Sequence, residues 1–532
     1  MSRSGAADAY RDEQVDEIIR ELAAAKVGGA YWGAQPALPD EGYTVVRLTS
    51  AGDLDRPLPA SLTDTPLVWA DQSHAAWEGE DLDLESGELD PWHLLSRASQ
   101  LVCHAGDEVM LVAGLLGVPV SFVLASGAIS EPRPLTRGEL RTAVRDQLLT
   151  SRQYHDPFSD QPISVAAAIL LCSSWRELIN SNRDLAAAFG FAAWKRPTTE
   201  ALLWSGFRPV AFDRPLRELP AKAAVAVWMS RVSPQVLTAL GRRQVQLIEV
   251  EDGFIRSAGL GANCVPPLSI VVDRLGVHFD SRQESELEQL LQHGGFDEAL
   301  LKRAEAVRCE LIARGLSKYG VGAVLVERRG SRRHILVPGQ VEDDRAVLAN
   351  PGGALSNLRL LKEVRAAAPD AYIIYKPHPD VEAGHRTGAI PDAVTRTLAD
   401  EIMRDQSITS VIAMVDEVHV NSSLAGFEAL LRGKPVTTYG VPFYAGWGLT
   451  TDRGPPTERR TARLTLPELV AGTLLVYPRY LDPVTGVPCP IEVIIQRLSQ
   501  PETRIGQGWL VSLRRIQGRL MKIIKSRRMA RC

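Results

Sequence analysis

One set of landmarks occurs twice in this chain in the same order, and that repetition restricts the available folds more than any other feature. The first copy reads Gln100-Leu101-Val102, the apolar run from Ala113 to Val120, Leu135-Thr136 with Glu139-Leu140, Tyr154-His155-Asp156-Pro157 and Pro162. The second reads Glu417-Val418-His419-Val420, the run from Ala429 to Val436, Leu464-Thr465 with Glu468-Leu469, Tyr480-Leu481-Asp482-Pro483 and Pro488. The copies differ in chemistry, because Gly106 and Asp107 stand where the second copy has Ser422 and Ser423. Tyr43 to Ser50, matched to the strand ending at His378, has no His-Pro pair. The first copy is therefore expected to be a degenerate Rossmann-like half-module, a scaffold or docking element without ligand groups.

Between and after the copies, apolar runs alternate with amphipathic ones, which predicts α/β architecture. Ala223 to Trp228 and Val245 to Val250 read as buried parallel strands, with a helix from Pro234 to Arg242 between them. A second unit is expected to begin near Arg333, with strands His334 to Val337, Ala371 to Tyr375, Glu417 to Val420 and Pro435 to Tyr439. Its helices are expected at Leu355 to Ala368 and Leu424 to Leu431. The predicted organisation is a degenerate repeat over 1–168, a lobe over 169–332, a facing Rossmann-like lobe over 333–500 and a tail over 501–532.

The 532 residues exceed one core, and 45% hydrophobic with 23% charged residues lies within the globular range. A net charge of -4 supplies no global field for nucleic acid. The six cysteines are scattered without CxxC pairs, which argues for a reducing compartment and against structural zinc. The charge-free stretch Val109 to Ser130 is broken by Gly114, Gly117, Pro119 and Gly127, so helix, turn and strand are expected rather than a membrane span. The tail from Arg504 to Cys532 holds nine Lys or Arg and no acid, interleaved with Trp509, Leu510, Leu513, Ile516, Leu520, Ile523 and Ile524. That pattern predicts a basic amphipathic helix on anionic lipid, with a solvated basic tail as the alternative.

The candidate chemistry sits at strand ends, where open α/β sheets bind ligands. The second strand runs into Glu251-Asp252-Gly253, and successive side chains of an extended segment diverge, so one carboxylate is expected to face the cleft. Asp252 is the choice, since Gly253 permits a sharp turn. It would attack an anomeric carbon or take a proton from an acceptor hydroxyl; an Asx-type turn is the structural alternative. Arg256 is open to two readings, a phosphate or carboxylate ligand or the partner of Glu251.

His378, between Pro377 and Pro379 and just past Lys376, is fixed at a strand end, where an imidazolium and an ammonium would neutralise a leaving phosphate. Asn421, Ser422 and Ser423 precede an apolar helix whose free amides and dipole suit an anion, and Glu428 is placed to hold ribose hydroxyls. Gln340 and Asp344 follow a strand on a Gly turn and read as sugar contacts or as a solvated loop. Tyr444 and Trp447 lie on a Gly-rich loop and read as stacking surfaces or as packing. With no clear DxD motif, a metal-independent sugar transfer without cofactor is expected.

These segments resemble the capsule polysaccharide biosynthesis family typified by the KpsC and LipB proteins. The matching runs are Glu251 to Ser257, Pro338 to Asp344, Tyr375 to Asp380, Ser423 to Pro435 and Phe443 to Gly448, within a match covering Leu170 to Arg497. The resemblance implies a GT-B-like enzyme that transfers β-linked Kdo, an eight-carbon acidic sugar, from CMP-Kdo to a lipid-linked saccharide acceptor with retention. It implies Asp252 as nucleophile or base, and His378 with Ser422 and Ser423 on the CMP phosphate. It also implies a cytoplasmic protein peripheral to the inner membrane, working beside capsule assembly and export proteins. A non-catalytic capsule assembly or export factor that binds the glycolipid is the competing expectation.

Overall fold

A computed structural model describes residues 10–500 except 41, 49–65, 71–82, 87, 127, 151, 257–264, 318–319, 322–326 and 351–354. The basic tail therefore lies outside the described residues. Packing divides the chain into two compact units, Met1–Asp184 with Leu203–Pro209, and Leu185–Leu202 with Val210–Cys532. The helix Val165–Asn182 runs unbroken through the boundary expected at 168.

The first unit contains strands β1 (Thr44–Leu48), β2 (Pro66–Ala70), β3 (Asp83–Ser86), β4 (Gln100–Cys103) and β5 (Val120–Phe122). They form one parallel sheet in the order β3-β2-β1-β4-β5. Val45, Leu101, Cys103 and Val120 pack with Val15, Ile18 and Leu22 of the helix Asp12–Ala25 and with Val109 and Val112 of the helix Val109–Leu116. Gly117 ends that last helix in the left-handed region at φ 74°, so the charge-free stretch is helix, turn and strand as expected. A short antiparallel pair, β6 (Tyr154–His155) and β7 (Pro162–Ile163), follows.

The second unit opens with β8 (Leu185–Phe189), β9 (Ala224–Val227), β10 (Gln246–Asp252) and β11 (Ser269–Asp273), then a small hairpin of β12 (Leu316–Ser317) and β13 (Gly320–Val321). It continues through β14 (His334–Pro338), β15 (Tyr372–Lys376), β16 (Glu401–Ile402), β17 (Glu417–Val420), β18 (Val436–Thr438) and β19 (Thr451–Asp452), and ends with β20 (Pro478–Leu481) and β21 (Pro488–Cys489). One sheet has the order β21-β20-β11-β10-β9-β8, with β8, β9 and β10 parallel and the remaining pairings antiparallel. The division at 333 assigns β20 and β21 to the later lobe, yet β20 pairs with β11 and carries β21 with it into the earlier sheet.

The other sheet, β16-β15-β14-β17-β18-β19, is parallel throughout. Its central strands are apolar on both faces, because side-chain alternation sends Ile335 and Val337 to a cluster with Leu360 and Val364, and Leu336 to one with Val418 and Phe427. The register also corrects a match made from sequence. Since β4 pairs with β1 as β17 pairs with β14, β1 is the counterpart of β14, and β2 rather than β1 corresponds to the strand that leads to His378.

Candidate functional site

Because β8, β9 and β10 are parallel neighbours, the segments leaving their carboxyl ends converge. Asp252 ends β10 with its side chain 25% exposed. Lys195, on the segment after β8, donates to Asp252 Oδ1 at 3.1 Å, and Arg256 Nε donates to Oδ2 at 2.8 Å. The Lys195 ammonium lies 3.1 Å from the ring centre of Trp228, just past β9, and 5.1 Å from that of Trp194. Arg256 is also held by the Val265 carbonyl at 3.1 Å. Of the two readings of Arg256, the structure pairs it with Asp252 rather than Glu251.

Glu251 points to the other face, as strand alternation requires. It accepts from Arg345 Nη1 at 3.1 Å, while Arg345 Nη2 reaches Glu249 at 2.9 Å. Burial, reinforced by the neighbouring Asp252 charge, pushes the Glu251 carboxyl up to about 7. Burial also pulls the Lys195 ammonium down to about 8, opposed chiefly by the charge of Asp252. Gly253 is not in the left-handed region; its role is close approach, since a Cβ there would collide with the Ser269 side chain.

The loops after β15, β14 and β17 lie side by side along the carboxyl edge of the parallel sheet. His378 caps the short helix Pro379–Glu382, its Nδ1 accepting from the Asp380 amide at 3.1 Å, which fixes the ring and leaves Nε2 as the proton-bearing nitrogen when neutral. Lys376 is buried and gives its ammonium to the Arg404 carbonyl at 3.2 Å; burial lowers its pKa. Ser423 caps the helix Leu424–Leu431, its Oγ accepting from the Ala425 amide at 3.2 Å. Asn421 and Glu428 are buried, at 2% and 7% exposure.

Gln340, expected as a sugar contact, has its amide occupied. It donates to Ser422 Oγ at 3.2 Å and accepts from the Ser422 amide at 3.1 Å, so it orients Ser422. Asp344 caps the helix Arg345–Leu348 through the Ala346 amide at 3.0 Å and keeps a half-exposed carboxylate near Arg386. Tyr444 and Trp447 are corrected to packing residues. Both are fully buried, with the Tyr444 hydroxyl on the Ser423 carbonyl and the Trp447 indole on the Phe443 carbonyl at 2.8 Å, so neither ring has a face for a sugar. Asp343, beside Asp344, is bonded to Arg386 and Thr387.

Two chains of contact tie the acidic end of β10 to the serine-capped helix. Ser422 Oγ lies 3.4 Å from the Ala346 carbonyl, one residue past the Arg345 that grips Glu251. Phe254, two residues past Asp252, packs 4.9 Å from Phe443 and 6.1 Å from Phe427, four residues into the serine-capped segment. Lys195, Arg345, Trp194 and Trp228 were not singled out as site residues from sequence. The apolar run Leu185 to Phe189 ahead of the Trp194-Lys195 pair was the available signal, but its distance in sequence from Asp252 hid the contact.

The family model described as "Capsule polysaccharide biosynthesis protein" matches residues 223–319 and 320–480. Capsule polysaccharide modification protein LipA of Neisseria meningitidis serogroup A is 47% identical over 246 residues, which span 46% of this chain and 35% of LipA. The chain thus spans about a third of that relative's length. Lipopolysaccharide-processing protein LpsZ of Rhizobium meliloti is 38% identical over 328 residues, covering 58% of this chain and 73% of LpsZ. Among solved structures, Thermosulfurimonas dismutans KpsC, beta Kdo 2,4 transferase, superposes with a TM-score of 0.52 at 30% identity, covering 59% of this chain and 98% of that one.

Proposed function

Because this chain belongs to the capsule polysaccharide biosynthesis family, we propose that its second unit transfers Kdo, or a related acidic sugar, from a CMP-sugar to a lipid-linked saccharide. The observation that carries this reading is the linkage of the Glu251-Asp252 end of β10, through Arg345 on Glu251 and through Phe254 two residues past Asp252, to the Ser422-Ser423 helix start. The Kdo transferase likeness at 30% identity over nearly the whole of the solved chain supports it.

In the proposed reaction an Asp252 oxygen bonds to the anomeric carbon as the bond from that carbon to the CMP phosphate oxygen breaks, and the phosphate departs with the electron pair. Helix-start amides at Ser423, the Ser422 hydroxyl and the His378 ring stabilise the leaving charge. The acceptor hydroxyl oxygen then displaces Asp252, losing its proton to a base, and two inversions give net retention. Gln340 serves by holding Ser422, and Glu428 by meeting the nucleotide end of the donor. No metal or cofactor is assigned a step. The basic 501–532 tail is proposed to hold the enzyme at an anionic inner-membrane surface, where its lipid-linked acceptor lies.

The test is incubation of the purified chain with CMP-Kdo and a synthetic Kdo-lipid, comparing wild type with Asp252→Ala. Product from wild type alone is expected; equal product from both rejects Asp252 as the reacting group.

A further inference from the structure

Both oxygens of Asp252 are engaged by cations, and the two cations are held differently. Arg256 is fixed: its side chain is 1% exposed, it donates to the Val265 carbonyl as well as to Asp252, and its guanidinium lies 5.7 Å from the ring centre of Trp194. Lys195 has no hydrogen-bond acceptor but Asp252 among the described residues, and the rest of its ammonium rests on indole faces. An aromatic face attracts a cation without prescribing the direction of its N–H bonds. Lys195 is thus retained in place while its hydrogen bond is free to lengthen.

We infer that Lys195 is a positioning residue for Asp252, holding the carboxylate aimed and charged from Oδ1 until that oxygen engages the sugar, while Arg256 anchors Oδ2 throughout. The inference rests on the proposed role of Asp252 and extends it to a residue 57 positions earlier in the chain. When Oδ1 bonds to the anomeric carbon, its lone pair enters the new C–O bond and the carboxylate becomes a neutral ester. The Lys195 proton stays on nitrogen, and the aromatic faces hold the released ammonium.

The charged groups around this pair are Asp252 and Glu251 on β10, Arg256 after it, Lys195 ahead of the helix Arg196–Leu202, and Arg345 on the far side of Glu251. Burial brings the Lys195 ammonium to about 8, so it loses its proton within an accessible range. Arg256 keeps its charge there, as any guanidinium does.

The test is the pH profile of transfer, kcat and KM measured separately, for wild type, Lys195→Met and Lys195→Arg. Wild type is expected to lose kcat/KM above about pH 8. Lys195→Met should lower kcat on the order of 10²-fold with KM for the CMP-sugar changed by less than about threefold. Its alkaline limb should vanish, and its acidic limb should move up by about one pH unit, because a carboxylate that loses a neighbouring cation is protonated more readily. Lys195→Arg, which does not titrate there, should recover much of kcat without the alkaline limb.

A carboxyl-carbon NMR titration, with Asp252 assigned from Asp252→Asn, should give the same rise in midpoint in folded Lys195→Met. That readout needs no turnover, so a wild type inactive on CMP-Kdo rejects the proposed function while the titration still decides the role of Lys195. An unmoved Asp252 midpoint in folded Lys195→Met, or in folded Lys195→Gln should the Met variant not fold, overturns the inference. A loss confined to KM overturns it equally.

Discussion

The two copies of the internal repeat share a scaffold to the level of single hydrogen bonds and differ at one helix start. Thr136 with Glu139 and Thr465 with Glu468 form the same capping box. Each box opens a helix that continues as a π-helical turn, Arg145–Thr150 in one copy and Ala471–Val476 in the other. The Tyr154 hydroxyl donates to the Leu148 carbonyl at 3.0 Å and that of Tyr480 to the Leu474 carbonyl at 2.8 Å. Gly117 and Gly433 both end the preceding helix in the left-handed region.

At the start of that preceding helix the copies part. Asp107 Oδ1 accepts from the Val109 amide at 2.9 Å, as Ser423 Oγ accepts from the Ala425 amide at 3.2 Å. Both side chains cap, so both helices form. The carboxylate of Asp107, with Arg47 at 3.9 Å, puts a negative charge where a phosphate would sit, whereas the neutral serine leaves the helix dipole for an anion. Caps and packing give the two copies the same fold, and under the proposed function the charge of one capping side chain separates the copy that takes an anion from the one that does not.

The largest effect expected to sharpen this contrast is at Asp252, which belongs to the second unit alone. Asp252→Asn should reduce transfer on the order of 10³-fold or more, while Asp107→Asn in the first copy stays within about twofold of wild type in the same assay. Transplanting the difference comes next: Ser423→Asp keeps the cap and should lower kcat/KM on the order of 10²-fold without lowering the thermal unfolding midpoint of the second unit. A variant with wild-type kcat/KM would break the comparison.

Stability should show the likeness instead. Tyr154→Phe and Tyr480→Phe remove equivalent hydroxyls and should each cost about 1 kcal/mol in denaturant unfolding followed unit by unit. Markedly unequal losses would show that the shared hydrogen bond has different weight in the two copies.

The smallest effect concerns acid. The Glu139 carboxyl is lowered to about 2, first by its hydrogen bond from Arg133 and then by Thr136. A depressed carboxyl stabilises above its ordinary range and loses that contribution as pH falls from about 4.5 toward 2. Because the pair is solvent-exposed, Glu139→Gln should destabilise the first unit by only a few tenths of a kcal/mol, roughly, at neutral pH. The difference from wild type should close in an acid titration below about 2.

Local signals made much of this legible in sequence. The helices Pro234–Arg242 and Leu424–Leu431 fall within the expected bounds because Ser233 and Ser423 mark their starts and apolar spacing marks their faces. β17 matches its expected run because every residue after Glu417 is buried. What escaped was set by distant partners. Lys195 carries no local mark of its contact with Asp252, and only the adjacency of β8, β9 and β10 creates it. For Tyr444 and Trp447 on a Gly-rich loop the sequence leaves stacking and packing open, and only the closure of Phe254, Phe427 and Phe443 around that loop decides for packing. The match of β1 to the His378 strand failed because short apolar runs look alike and sheet order alone tells them apart.

Calorimetric titration of the chain with CMP addresses the central claim most directly. The account predicts one site per chain, abolished by Ser423→Asp and untouched by Asp107→Asn. Two sites per chain, or CMP binding that survives Ser423→Asp, would contradict it.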